Sequence, residues 1–437
     1  MTGPRAEALD VWVRVALQSF GGPTGQIAVI HRIVVEEKGW LDEPRFLHAL
    51  SYCMLLPGPE AQQLATYVGW LLHGVRGGLV AGTLFILPGF LSILGLSVLY
   101  AGFREVGFVA GLFFGLKPAV MAVVLEAVLR LRRRALTGRF ALLLAVTAFV
   151  ATFLFKVPFP LIVIGAGVIG LLHRWRVGNG EHPSASAGEE STPGFPRPSI
   201  RQAGRTAVIW LALWLGPLAI LFGLLGSGHV LVLEAAFFSK VAAVTFGGAY
   251  AVLSYVTQQA VEVYRWMAPG EMLDGLGMAE TTPGPLIQVV QFVGFMGAYR
   301  NSGGLDPMVA GVLGSVVTTW FTFVPCFFFI FVGAPFVEYL RGNRALNAAL
   351  RAITAAVVGV VLNLAVWFAL HTLFGTVESM EVGPAVFLVP DLSTLDWRAV
   401  LIAVGAVIAL FRYKTGMLAT LGVAAMTGVV LYVVFPS

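Results

Sequence analysis

Apolar residues in this chain come in long unbroken runs, not in the alternation of a half-buried strand or the narrow stripe of a surface helix. Gly77 to Ala101, Thr206 to Gly228, Pro307 to Val337 and Thr415 to Ser437 contain no charged residue. Crossing a bilayer core takes roughly 20 apolar residues, and inside lipid only helices or closed barrels satisfy the backbone. Without period-2 alternation, these runs predict helices. The expected spans are 8–35, 42–75, 77–101, 106–130, 140–155 and 157–173, then 206–228, then 230–262, 270–299, 307–337, 344–373, 398–411 and 415–435, about thirteen in all.

The pattern repeats. Phe20-Gly21-Gly22 recurs as Phe246-Gly247-Gly248, Trp40 as Trp266 and Pro57-Gly58-Pro59 as Pro283-Gly284-Pro285, all at an offset of 226. Tyr67-Val68-Gly69 matches Phe292-Val293-Gly294 at 225. Pro88 matches Pro325 and Ala119-Val120 matches Ala356-Val357 at 237, which places an insertion of 12 residues near Asn301 to Gly311. Such an ordered series means duplication. A first transmembrane repeat is expected at 1–173 and a second, preceded by an extra span, at 206–437. Residues 174–205, rich in Ser, Gly and Pro, cannot bury a core and read as a flexible cytoplasmic linker.

The extra span puts an odd number of crossings before the second copy, so the two copies are expected to be inverted. Arg130, Arg132, Arg133, Arg134 and Arg139 mark their loop as cytoplasmic. The matching loop, about 374–397, carries Glu378, Glu381, Asp391 and Asp396 with no Lys or Arg, and is expected outside. Arg341, Arg344 and Arg351 mark another inner loop. The N-terminus is then cytoplasmic and the C-terminus external. The fold class expected is an all-α polytopic membrane protein of two inverted-topology repeats with broken helices.

Composition agrees, with 58% hydrophobic and 12% charged residues, against about 25% charged in soluble domains. The net charge of +5 sits in clusters at the ends of apolar runs, so it sets topology and implies no nucleic-acid partner. The seven histidines show no metal-ligand spacing, and no phosphate-cradling glycine loop follows a strand. No metal, cofactor or enzyme chemistry is expected. Cys53 and Cys326 read as separate buried thiols. The first apolar stretch, interrupted by Arg14 and a Gly-Gly-Pro break, does not read as a cleavable signal.

The candidate chemistry lies at the interruptions, since inverted repeats with broken helices are a recurring transporter plan with substrate near the midplane. Glycine permits non-helical dihedrals, while proline breaks one helix and starts the next. The new N-termini suit an anion. Gln18, Ser19, Gly21, Gly22, Pro57, Gly58, Pro59, Thr245, Gly247, Gly248, Thr282, Pro283, Gly284 and Pro285 are therefore candidate substrate-binding positions. Gln26, Gln62, Gln63, Tyr250 and Gln288 are further polar candidates for lining the site. Arg14 and Lys240 are symmetry mates at offset 226, each six residues before its Phe-Gly-Gly. They would neutralise a dianion, or else snorkel to the headgroups. Lys117 falls mid-span and is harder to snorkel. Glu126 reads as the partner of Arg130. Glu280, just before the second Pro-Gly-Pro, is a candidate proton-coupling carboxylate, or else a partner for an interfacial arginine. The six aspartates are expected near span ends or in loops.

Leu17-Gln18-Ser19-Phe20-Gly21-Gly22-Pro23, Glu37-Lys38-Gly39-Trp40-Leu41 and Leu55-Leu56-Pro57-Gly58-Pro59, with their second-half counterparts, resemble the chromate ion transporter family in its long bidomain form. The resemblance covers nearly the whole chain outside the linker. It implies an efflux protein of the bacterial cytoplasmic membrane that confers chromate resistance as a secondary transporter. Two positions depart from the family pattern: Gln26, where histidine is common, and Glu60, where asparagine is common. An acid beside an anion site must be protonated or turned away, which makes Glu60 a second coupling candidate. The expected activity is proton-coupled, antiporter-type efflux of chromate by alternating access at the repeat interface. A sulfate or broader oxyanion permease is the near alternative, and a non-transporting receptor or scaffold the distant one. The expected partners are the oxyanion, protons and the bilayer, with a homodimer as an open assembly.

Overall fold

The computed structural model describes residues 5–104, 106–177, 200–246, 248–334 and 344–435. Most of the expected linker, Gly247, Arg341 and the end of the 307–337 span lie outside the described residues. Sixteen helices account for most of the described residues. The first copy holds α1 (Arg5–Gln18), α2 (Gly22–His31), α3 (Glu43–Cys53), α4 (Glu60–Phe103), α5 (Gly107–Ala135), α6 (Arg139–Phe153) and α7 (Phe159–Val177). Helix α8 (Ile200–Leu225) is the extra span. The second copy holds α9 (Val230–Val244), α10 (Ala249–Thr257), α11 (Pro269–Thr281), α12 (Val289–Arg300), α13 (Pro307–Gly333), α14 (Arg344–Leu373), α15 (Trp397–Phe411) and α16 (Met417–Val434). Six helices are long and apolar enough to cross a membrane, and large apolar side chains such as Leu224 and Val423 stand exposed along them. In water such a surface would aggregate, whereas in lipid it is the solvated one. The chain is an all-α polytopic membrane protein.

The elements recur at the offsets read from the sequence. A wide π-type turn extends α2 at Arg32–Glu37 and α10 at Gln258–Val263. Each ends in the same six-residue closure, Trp40 N–H to Val34 O at 2.9 Å and Trp266 N–H to Ala260 O at 2.8 Å. Asp42 caps α3 through Arg45 N–H, and its mate Ala268 opens α11, where the Glu271 carboxylate accepts the Ala268 N–H at 2.8 Å. Helix α4 folds back on itself at His73–Gly74, where Gly74 has φ +63°. A Cβ on Gly69 would lie 2.5 Å from Gly77 O, so the two arms touch through backbone. Gly294 and Gly314 make the same contact between α12 and α13, 2.4 Å from a Gly314 Cβ to Gly294 O. Eight residues separate the first glycine pair and twenty the second, so the expected insertion sits in the α12–α13 turn.

The last helices are exchanged between copies. Helix α5 packs on α15 and α16 of the second copy, and α14 packs on α6 and α7 of the first. Small residues form both seams: a Cβ on Gly115 would meet Ala424 O at 2.1 Å, and one on Gly359 would meet Ala145 O at 2.0 Å. Without water to drive association, such close approach is what holds membrane helices together.

One element departs from an all-helical reading. An antiparallel hairpin, β1 (Val377–Val382) and β2 (Ala385–Pro390), interrupts the passage from α14 to α15. It docks by Val386 N–H to Leu154 O at 2.7 Å, at the end of α6 remote from Arg139. The basic loop before α6 and its acidic counterpart thus lie at opposite ends of that helix.

Candidate functional site

Each copy breaks its first helix in the same way. The Ser19 hydroxyl turns back to Val15 O and the Thr245 hydroxyl to Val241 O, both at 2.6 Å. This ends α1 and α9 with their next carbonyls free. Gly21 and Gly22 follow at φ +84° and +67°, and Gly248 at +95°, where side-chain-bearing residues are disfavoured. The chain then re-enters a helix at Gly22 and at Ala249. The Pro-Gly-Pro segments are a second interruption, with Gly58 at φ +130° and Gly284 at +107°.

The freed carbonyls and the second interruptions meet across the copies. Gly58 N–H donates to Thr245 O at 2.8 Å, and Gly284 N–H donates to Ser19 O at 2.9 Å. These are the same bond related by the 226-residue offset, so the two copies clasp each other reciprocally. Gln63 holds Pro57 O and Gln26 holds Gly284 O, both at 2.7 Å. Pro283 and Gly284 lie on the α4 backbone at Gly89, and Gly58 lies beside the Cys326 thiol of α13, next to Pro88 and Pro325, which those helices carry without a break. Helix starts at Gly22, Glu60, Ala249 and Leu286 gather around these crossings.

The surroundings are polar although buried. Gln62, Gln63, Gln288, Gln291, Ser315, Thr318 and Thr322 are all sealed from solvent, and the Thr318 and Thr322 hydroxyls have no partner. Glu280 is buried beside the second crossing. One of its oxygens accepts the Tyr250 hydroxyl, and the other has no partner. Glu60 opens α4 directly after Pro59, at the first crossing. Helix α10 also borders a small cavity of about 30 Å³, lined by Thr152, Ser254, Tyr255, Asn363 and Trp367 and by the Lys156–Glu262 pair at 2.9 Å.

The sequence candidates divide. Ser19, Gly21, Gly22, Pro57, Gly58, Pro59, Thr245, Gly248, Pro283, Gly284 and Pro285 come together at the crossings, with Thr282 next to them. Gly247 lies outside the described residues. The N–H groups of Gly58 and Gly284, expected to face an anion, are spent on the clasp. Gln18 is exposed and accepts from Arg32 at 2.6 Å. Arg14 is exposed and paired with Glu37 at 2.8 Å. Lys240 is exposed, its ammonium 5.8 Å from the Tyr255 ring centroid. Both of these cations, expected either to flank the centre or to snorkel, are exposed in this structure. Lys117 does turn inward, but toward Asp274 at 3.4 Å. Glu126 pairs with Arg130, as expected. Cys53 and Cys326 are buried free thiols.

Three acids were missed. Asp274, expected with the other aspartates near a span end, is buried inside α11 and accepts from Tyr100 at 2.8 Å. Glu271, one turn earlier, is gripped by Arg300 through two bonds of 2.6 and 2.7 Å and by Arg104. Glu234 is buried in α9. The available signal was the repeat itself: the first-copy mates of Asp274 and Glu271 are His48 and Arg45, so acids arose in one copy only.

The family model described as chromate transporter matches residues 6–171 and 234–429. A chromate transport protein of Pseudomonas aeruginosa is 32% identical over 353 residues, covering 80% of this chain and 77% of that protein. One from Cupriavidus metallidurans is 26% identical, covering 80% and 79%. A shorter uncharacterized transporter of Bacillus subtilis is 33% identical over 122 residues, 28% of this chain and 61% of its own. No solved structure matches the chain.

Proposed function

This chain belongs to the chromate transporter family, and from that premise we propose that it exports chromate across the bacterial cytoplasmic membrane as a proton-coupled secondary transporter working by alternating access. The observation that carries the mechanism is the reciprocal clasp of Gly58 on Thr245 and Gly284 on Ser19. Two like copies joined by identical bonds can exchange roles, so a rearrangement that opens one end has a counterpart that opens the other. The arginine-rich loop and the acidic hairpin at opposite ends of α6 support inverted copies, with the N-terminus inside and the C-terminus outside.

The oxyanion sits at the crossings, held by the first N–H groups of the helices that start there and by the buried hydroxyls and amides around them. Lys117, neutralised by Asp274, sets up the helix α5–α11 contact rather than meeting substrate. Glu280, and Glu60 as a second carboxyl, carry the coupling proton. An ionised Glu280 and a dianion repel each other, so protonation favours occupancy and the proton travels with the anion. This replaces the antiport expected from the sequence by shared movement, with one net negative charge leaving. At 100 mV, inside negative, that outward step gains about 2.3 kcal/mol.

The test is uptake of labelled chromate into inverted membrane vesicles. An interior-positive potential should drive accumulation, and excess sulfate should compete if shape and charge alone are recognised. Wild type should bind more tightly as pH falls. Glu280→Gln should be tight and pH-independent. Accumulation that ignores the potential would refute the export reading, and an unchanged pH profile in the variant would remove Glu280 from it.

A further inference from the structure

Glu234 lies in α9, one turn after the His229 cap. It is 0% exposed, and among the described residues neither carboxyl oxygen has a hydrogen-bond partner. Gly297 of α12 closes over it: a Cβ there would come within 2.9 Å of the Glu234 Oε1 and 3.0 Å of the Trp266 ring. The charged and titratable groups of the neighbouring elements are engaged elsewhere. Arg300 of α12 binds Glu271 and Trp266 O. Asp306 caps α13. Tyr250 of α10 donates to Glu280, and Lys240 lies over the Tyr255 ring. The His229 ring accepts from Leu231 N–H. Arg201 and Arg205 are at the end of α8 remote from the α8–α9 turn, near which Glu234 lies. A carboxylate in this seat would have neither donor nor counter-charge, a cost of several kcal/mol in a dry interior. The neutral acid is the form the seat accommodates. The first-copy mate is Ala8, so packing at this position does not itself call for a carboxyl.

We propose that Glu234 is a proton-binding site that latches α9 onto α12, so that this conformation holds a proton that must be released to water when the two helices part. The step is a simple acid dissociation: the O–H bond breaks, the proton passes to water, and the carboxylate becomes solvated in the opened cleft. The latch rests on the transport reading only in its functional arm.

Infrared spectroscopy of the purified protein near neutral pH supplies the arm that needs no transport. A protonated carboxyl stretch, resistant to deuterium exchange, should be present in wild type, and Glu234→Gln should remove one carboxyl's share of it in addition to what Glu280→Gln and Glu60→Gln remove. Its presence unchanged in the variant, or its absence from wild type, overturns the proposal. In vesicles, Glu234→Gln should bind chromate normally but turn over at least tenfold more slowly at alkaline pH, because the amide cannot ionise to release the latch. Wild-type turnover with a wild-type pH profile overturns it as well. If wild type itself moves no chromate, the export reading fails while the infrared arm still decides the proton site. Glu234→Ala, matching the first-copy mate, guards against misfolding. It should fold, lose the Glu234 share of the band and show no alkaline slowing of turnover.

Discussion

At the scale of single residues, the crossings depend on two glycines that no other residue replaces. Gly284 combines φ +107° with a Cβ position 3.0 Å from the Gly89 Cα, so Gly284→Ala meets both strain and backbone. Its cost should be about 1–3 kcal/mol, read as a lowered Tm with transport reduced in proportion. Gly58→Ala, at φ +130° with the Gln63 amide 2.6 Å away, should behave alike, because the bond it supports is the same bond in the other copy. Lys117→Ala is a different case. It removes one partner of a buried acid, but Lys117 is 30% exposed, so the loss should be about 1–3 kcal/mol, below that of a fully sealed pair. Asp274→Asn in the same background should recover part of the lost Tm. A double-mutant cycle showing no coupling would place Lys117 elsewhere in the mechanism. The Gly-Pro breaks were legible in the sequence because conformation at such residues is local. The inward turn of Asp274 was not, because its donors Tyr100 and Lys117 arrive from helices more than 150 residues away.

At the scale of elements, the seams between α5 and α16 and between α14 and α6 are backbone contacts across small residues. Gly115→Leu must push α16 away, and overpacking of this kind costs typically 1–3 kcal/mol. Gly422→Leu on the same α16, with nothing within 4 Å of its Cβ, should be nearly neutral. Comparing their Tm values in detergent checks that the exchanged packing, rather than helix propensity, holds the copies together. The sequence marks each of these helices but not their exchange. A helix that is apolar all round carries no amphipathic stripe to say which face meets which neighbour. The hairpin escaped for a different reason: β1 and β2 are runs of six residues each, too short for a periodicity to declare itself, so only pairing decides strand from coil.

At the scale of the whole molecule, the proposed inversion of the two copies predicts that matched loops label from opposite sides. Exposed Thr137, between α5 and α6, and exposed Ser379, in the hairpin, occupy equivalent loops of the two copies. Thr137→Cys should react with an impermeant thiol reagent only in inverted vesicles and Ser379→Cys only in right-side-out ones. The native thiols are buried and should stay silent. Reaction of both from one side would end the inverted reading. By itself the sequence determined the membrane class, the runs that become helices, the duplication and the places where helices break. Transfer into lipid is a property of composition, and backbone breaks are a property of adjacent residues. The tertiary structure alone decided that each break clasps the other copy, that Arg14 and Lys240 turn outward, and that Glu234, Asp274 and Glu280 are sealed within. Which groups meet across 226 residues depends on helix faces closing on one another, and linear polarity does not encode that choice.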